Sequence, residues 1–204
     1  AIGGAALSSN TTGEENTATG YSSLSSNTTG KENTSVGRAA LQENTTGNNN
    51  TAVGKSTLTQ NTTGFSNTAV GASALWNNTN RNNLVAIGDS ALFKNGTNVS
   101  ETFHATKNTA VGSKSLYFNA YGFENTAVGF QALYGSATGG GGVRNTAVGN
   151  LALSSTTFGA NNTAAGAESL YSNTIGNQIA AFGVKSLYSN TFGDYNTAIG
   201  YQSL

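Results

Sequence analysis

The side chains of this chain that could do chemistry are few and dispersed. Its one histidine, His104, stands near Glu101 and Lys107. A single imidazole beside one carboxylate falls short of a metal-ligand set, and no nucleophile is placed to complete a triad with it. The stretch reads as a surface loop, the kind of segment on which a receptor contact would sit. Asp89 and Asp194 are isolated, so the fixed aspartates of calcium-binding β-roll repeats are missing, and no catalytic pair of carboxylates is visible. Gly139-Gly140-Gly141-Gly142 could cradle a phosphate, but no Lys-Ser/Thr and no helix follow it, which excludes a P-loop. Cysteine is absent, which removes thiolate chemistry, disulfides and cysteine metal sites. The expectation is a protein that is not an enzyme and that carries no metal and no cofactor.

What recurs instead is aromatic. The residue after each of a series of evenly spaced leucines is Ser8, Ser25, Gln42 and Thr59, then Trp76, Phe93, Tyr117, Tyr134, Ser154, Tyr171 and Tyr188. Trp76, Phe93, Tyr117, Tyr134, Tyr171 and Tyr188 are therefore the candidate surface-binding residues, able to stack on sugar rings of a host surface. The plainer reading, which the sequence favours, is a ladder of rings stacked on one another that stabilises the sheet or a contact between chains.

The elements that would position such a ladder are written in the repeat. The phrase Asn-Thr-Ala-Val-Gly-x-x-Ala-Leu recurs with its glycine at Gly3, Gly20, Gly37, Gly54, Gly71, Gly88, Gly112, Gly129, Gly149, Gly166, Gly183 and Gly200. Successive steps are 17 residues, except one of 24 and one of 20. A fixed period of this kind is the signature of stacked repeats. Four residues after the glycine stands a leucine in every copy, and Leu24, Leu41, Leu58, Leu75, Leu92, Leu116, Leu133, Leu153, Leu170 and Leu187 are the expected core. Before the glycine, Thr, Ala and Val alternate with the period of a strand, Val and Thr on one side and Ala on the other. A second strand is expected to carry the small-Leu pair. The Asn-Thr-Thr-Gly phrase, as at Asn61-Thr62-Thr63-Gly64, is expected to turn the chain through positive φ at Asn and Gly.

Each unit is thus expected to hold two short strands and two turns, with Leu, Val and small residues inside. One unit cannot bury its own apolar face, so the units stack about 4.8 Å apart. Twelve of them make a rod on the order of 55 Å long, with asparagine amide ladders at its corners. The fold class is all-β: a parallel β-solenoid, or β-roll, of about twelve coils, assembled as a homotrimer through the Val/Thr face because the coil is thin. The alternative is an interwoven triple-stranded β-helix. Residues 1–204 form one repetitive segment, expected to be a window of a longer fibre because it opens and stops inside a repeat. Extra residues near 95–107 and 135–144 fall at the same corner of the coil.

Composition narrows the partners. Nine Lys and Arg balance nine Asp and Glu, which argues against a nucleic-acid partner. No apolar run approaches the ~18 residues of a membrane helix. Proline is absent, as a ladder that uses every backbone N–H would require. Sequons such as Asn10-Thr11-Thr12 and Asn44-Thr45-Thr46 read as by-products of the repeat.

With Asn67-Thr68-Ala69-Val70-Gly71 and Asn125-Thr126-Ala127-Val128-Gly129 as the nearest matches, the repeat resembles those in the shafts of bacteriophage tail fibres. It also resembles the head repeats of YadA-type trimeric autotransporter adhesins. The resemblance implies a trimeric fibre at a virion surface or an extracellular cell surface. Its expected role is to space and present a host-attachment tip. The alternative is an adhesin head that binds host glycan or protein through its aromatic flank. A distant alternative is an ice-binding solenoid, against which the turn threonine column counts, since it gives way to Tyr121, Phe158, Ile175 and Phe192.

Overall fold

The structure, a computed structural model, describes residues 1–96, 104–135 and 141–204. The sequence puts one Thr-Ala-Val triplet in each period, and each triplet is a three-residue strand: β1 (Thr17–Thr19), β2 (Thr34–Val36), β3 (Thr51–Val53), β4 (Thr68–Val70), β5 (Val85–Ile87), β6 (Thr109–Val111), β7 (Thr126–Val128), β8 (Thr146–Val148), β9 (Thr163–Ala165), β10 (Ala180–Phe182) and β11 (Thr197–Ile199). They form one parallel sheet in chain order, and Ile2 extends it by a bridge to Thr19. Because every strand pairs with the next strand of the same chain, the molecule is a β-solenoid and not an interwoven triple helix.

Register follows the repeat. Ala52 lies over Ala69, and the 24- and 20-residue steps still bring Ala86 over Ala110 and Ala127 over Ala147. Both additions therefore leave the register of the ladder unshifted. They share one corner: Asn95 donates its amide to the Ala105 carbonyl at 2.9 Å, as Asn61 does to Gly64 at 3.0 Å. Gly142 occupies the same turn position in the other interrupted coil, accepting from Asn125 at 2.7 Å. The segments 97–103 and 136–140, which include Glu101, Gly139 and Gly140, lie outside the described residues.

The expected core leucines are all interior, from Leu24 at 0% exposed to Leu187 at 5%. The other interior column is alanine (Ala52, Ala69, Ala86, Ala110, Ala127), and this corrects the expectation that valine would share the interior. Val36, Val53, Val70, Val128 and Val148 face outward, 37–44% exposed. Leucine fills the space opposite the strand, so only a methyl group fits between the strand backbone and that side chain.

A second correction concerns the small-Leu pair, which is not a strand. The ten core leucines take φ between 47° and 53°, and the residue two before them is left-handed as well, as at Ser56 with φ 55°. Alternating handedness curls the chain yet keeps its backbone bonds along the rod. Ser56 N–H donates to Arg38 in the preceding coil, while Leu58 and Gln60 donate to Ala74 and Trp76 in the following one, at 2.9–3.2 Å. A left-handed L-residue costs about 1–2 kcal/mol, and burying a leucine side chain returns about 1.5–3 kcal/mol, so burial offsets the strain at the leucine itself.

The Asn-Thr-Thr-Gly segment does turn the chain, but not by positive φ at Asn or Gly. The left-handed residue comes later, as at Glu32 (φ 57°) and Asn49 (φ 56°). Glycine is needed in this turn for close approach: a Cβ on Gly30 would lie 2.5 Å from the Gly47 carbonyl oxygen. The register glycine combines both demands, since Gly54 has φ 135° and a Cβ there would lie 2.6 Å from the Gly71 oxygen.

Two asparagine ladders line the corners. In the first, amide donates to amide from Asn119 down through Asn95, Asn78, Asn61, Asn44 and Asn27 to Asn10, at 2.8–3.3 Å. In the second, Asn33 Oδ1 accepts the Asn50 backbone N–H at 3.0 Å while its amide donates to Gly47 at 2.8 Å. Leu84 and Ile179 replace asparagine in this second ladder and are buried there. Asn44 is fully buried with its amide engaged in the first ladder, so in the folded chain its sequon is closed to a glycosylating enzyme.

Candidate functional site

The aromatic column is built by the residue that follows each core leucine. Because the left-handed leucine points inward, its neighbour points out over the coil, and axial stacking sets one ring above the next. Trp76 lies on Phe93 (5.4 Å, 7°), Phe93 on Tyr117 (5.2 Å, 6°) and Tyr117 on Tyr134 (5.3 Å, 18°). After Ser154 the column resumes with Tyr171 on Tyr188 (5.1 Å, 5°). The candidate residues are thus brought together in two stacks, with ring faces turned to one another and ring edges turned to solvent. Burial, the neighbouring Tyr134 and the charge of Asp89 push the Tyr117 phenol above its ordinary pKa.

The coil from Gly112 to Gly129, which lies between the two interrupted coils, is the most aromatic of all. Phe118 meets Tyr117 and Tyr134 edge-on at 4.7 and 5.3 Å, and the Lys94 ammonium sits 5.1 Å from the Phe118 ring centre. On the corner side, His104 packs edge-on against Tyr121 at 5.6 Å and the Arg144 guanidinium lies 5.8 Å from Phe123. Glu124 bridges the two insertions, accepting from Arg144 at 2.9 Å and from Lys107 at 3.4 Å. The Arg144 hydrogen bond, against some desolvation, holds the Glu124 carboxyl below its ordinary range, with Lys107 helping. Column reasoning on the residue after leucine missed Phe118, Phe123 and the Lys94 and Arg144 cations. Their signal was a local enrichment of aromatics in one copy, not a repeated position.

Arg81 was also missed. It stands where the turn glycine belongs in other coils, is 2% exposed, and its carbonyl accepts the amides of Asn67 and Asn78. In the next coil Ala105 takes that turn position, and a Cβ built on Gly96 would lie 3.0 Å from Arg81 Cγ, so the arginine stem packs against Gly96. His104 packs on an aromatic ring, and Asp194 accepts the Asn177 backbone N–H at 2.6 Å. Among the described residues, no three His, Asp or Glu side chains gather as a metal site, and no helix is long and apolar enough to cross a membrane. The turn column that opens as Thr12, Thr29, Thr46 and Thr63 becomes Tyr121, Phe158, Ile175 and Phe192, all exposed, the last at 66%. Compared with protein families, with curated proteins and with solved structures, the chain matches none.

Proposed function

We propose that this chain is a structural segment of a fibre displayed on a virion or cell surface, a spacer that holds an attachment tip away from its base. The observation that carries this reading is the unbroken axial register of β1–β11 with a continuous leucine spine. Such a rod transmits length and stiffness. Copies associate as a homotrimer through the outward Thr/Val face, whose column of mostly valine and isoleucine, with Thr19, Ala165 and Phe182 among them, runs from Ile2 to Ile199. An apolar stripe of that length facing water is what a chain–chain contact would cover.

The test removes two coils, residues 20–53, from the fibre. A spacer becomes shorter by about 10 Å in electron micrographs, from two strand spacings, and keeps its attachment. Loss of attachment would refute the spacer reading. The companion test replaces Val53, Val70 and Val128 by Lys. Light scattering is expected to fall from trimer to monomer while the β-sheet spectrum persists, and a wild-type chain that is already a folded monomer overturns the trimer.

A second reading has its own observation. The aromatic cluster at Tyr117, Phe118, Tyr121 and Phe123 lies between the two insertions, a flank suited to contacting host glycan or protein. Replacing Phe118, Tyr121 and Phe123 by Ser would then abolish host binding, whereas a pure spacer would be unaffected.

A further inference from the structure

We propose that the three copies of the homotrimer are held level with one another by Phe182, whose rings meet between the chains in room left by Ala165 and Ala180. The proposal rests on the trimer reading above and adds what sets the height of each chain. Nothing charged occupies the two outward positions of any strand from β1 to β11. The exposed column one residue past the register glycine, by contrast, carries Arg38, Lys55 and Asp89. Depletion of charge marks the core of a protein contact, and a neutral face of this kind fits a second copy of itself without burying an unpaired charge.

A periodic face specifies its register poorly. Sliding one copy by one coil, about 4.8 Å, repeats nearly the same Thr and Val contacts and gives up one strand of eleven. One place breaks the period. Phenylalanine occurs once among the outward strand positions, at Phe182, and alanine twice, at Ala165 and Ala180. The three are neighbours: Phe182 pairs with Ala165 across the sheet, and Ala180 lies two residues before it on the same face. Two side chains are therefore cut back beside the one that is enlarged, the volume-conserving pattern that close packing tolerates. The chain by itself does not close this room. Val36, Val53, Val70 and Val128, with branched neighbours on both sides, are 37% exposed. Val148, which pairs with Ala165, is 44% exposed, and Phe182 is 42% exposed. Cyclic symmetry sets equivalent residues at one height, so the Phe182 rings of different copies gain contact with one another only when the chains are level. A slipped pair sets each ring against a side chain of another coil and loses the ring–ring contacts.

Multi-angle light scattering over a dilution series tests this. Ala165→Val with Ala180→Thr fills the room with residues that the two columns already hold, and far-UV circular dichroism checks that the coil persists. The pair is expected to raise the concentration at which the trimer half-dissociates at least tenfold, because the rings are then overpacked. Adding Phe182→Val makes the face periodic there. Association is expected to return to within about threefold of the wild type, but with masses above the trimer, because slipped contacts do not close. A wild-type chain that is a folded monomer overturns the trimer reading and this proposal with it. A wild-type trimer whose dissociation is unmoved by Ala165→Val with Ala180→Thr overturns this proposal alone, as does a triple variant that stays a single closed trimer. Melting of the dissociated chains supplies the last control. A loss of the same size in the monomer, independent of concentration, would seat the ring on the alanines of its own chain and overturn the proposal as well.

Discussion

Replacing Asn61 by alanine tests whether the first asparagine ladder holds the coils together. Asn61 is fully buried. Its amide donates to Asn44 Oδ1 at 2.9 Å and to the Gly64 carbonyl at 3.0 Å, and its Oδ1 accepts from Asn78 at 2.9 Å. Alanine removes all three bonds. The Gly64 carbonyl keeps the Asn50 amide at 2.8 Å, and the Asn78 amide keeps Arg81 at 3.2 Å, but Asn44 Oδ1 loses its amide partner. Net loss of a hydrogen bond costs about 0.5–1.5 kcal/mol, and a buried polar atom left without one about 1–3 kcal/mol. With the small cavity added, the expected destabilisation is about 3–5 kcal/mol. The second ladder supplies a control. It already accepts Leu84 and Ile179 among its asparagines, so Asn50→Leu, which keeps the branched heavy-atom shape, is expected to cost less than Asn61→Ala. Urea unfolding followed by far-UV circular dichroism measures both, and hydrogen exchange at the Asn44 and Asn78 coils shows whether a loss is local, as stacked repeats allow. A cost below about 1 kcal/mol for Asn61→Ala would refute the idea that the amide ladder is a principal axial tie.

Two further predictions follow from backbone and charge. Gly54→Ala places a methyl 2.6 Å from the Gly71 oxygen at φ 135°, where an L-side chain is strained. The variant is expected to be insoluble or to melt far below the wild type, whereas Ala72→Ser, one position past the next register glycine and exposed, changes little. Acid should weaken the fold only slightly. Glu14 and Glu124 are held below the ordinary carboxylate value of 4.5 by the hydrogen bonds of Lys31 and Arg144. Their contribution is therefore present above about pH 4.5 and lost as pH falls through their folded values. Both pairs are solvent-exposed and weak, so the melting temperature is expected to decline gently below that pH, and Glu124→Gln to remove part of the decline. A steep loss of stability above pH 5 would contradict this.

The period, the parallel strand, the leucine core, the shared corner of the two insertions and the mutual stacking of the aromatic column are all legible in the residues. Each repeats at a constant position, and an axial stack turns a constant position into a spatial neighbour. Two local assignments were not legible. A run such as Ser56-Thr57-Leu58 alternates like a strand, yet the chain there alternates between handed conformations, because only a tight curl brings the leucine inward within 17 residues. The turn glycine looks like a φ > 0 residue, but it answers to the carbonyl of the coil above, a contact 17 residues away that no local pattern encodes.

The sequence by itself thus determined what stacks on what: the repeat sets the axial neighbours, and Leu, Asn and aromatic columns follow from it. Only the tertiary structure decided which way each column faces. Alanine, not valine, lies inside because leucine from the opposite wall leaves room for a methyl alone. Arg81 is buried where its stem packs against Gly96 of the next coil, and the backbone ladder runs on past Ser154, where the aromatic column is interrupted. Facing is a property of how a closed coil encloses volume, and that volume is shared by residues far apart in the chain.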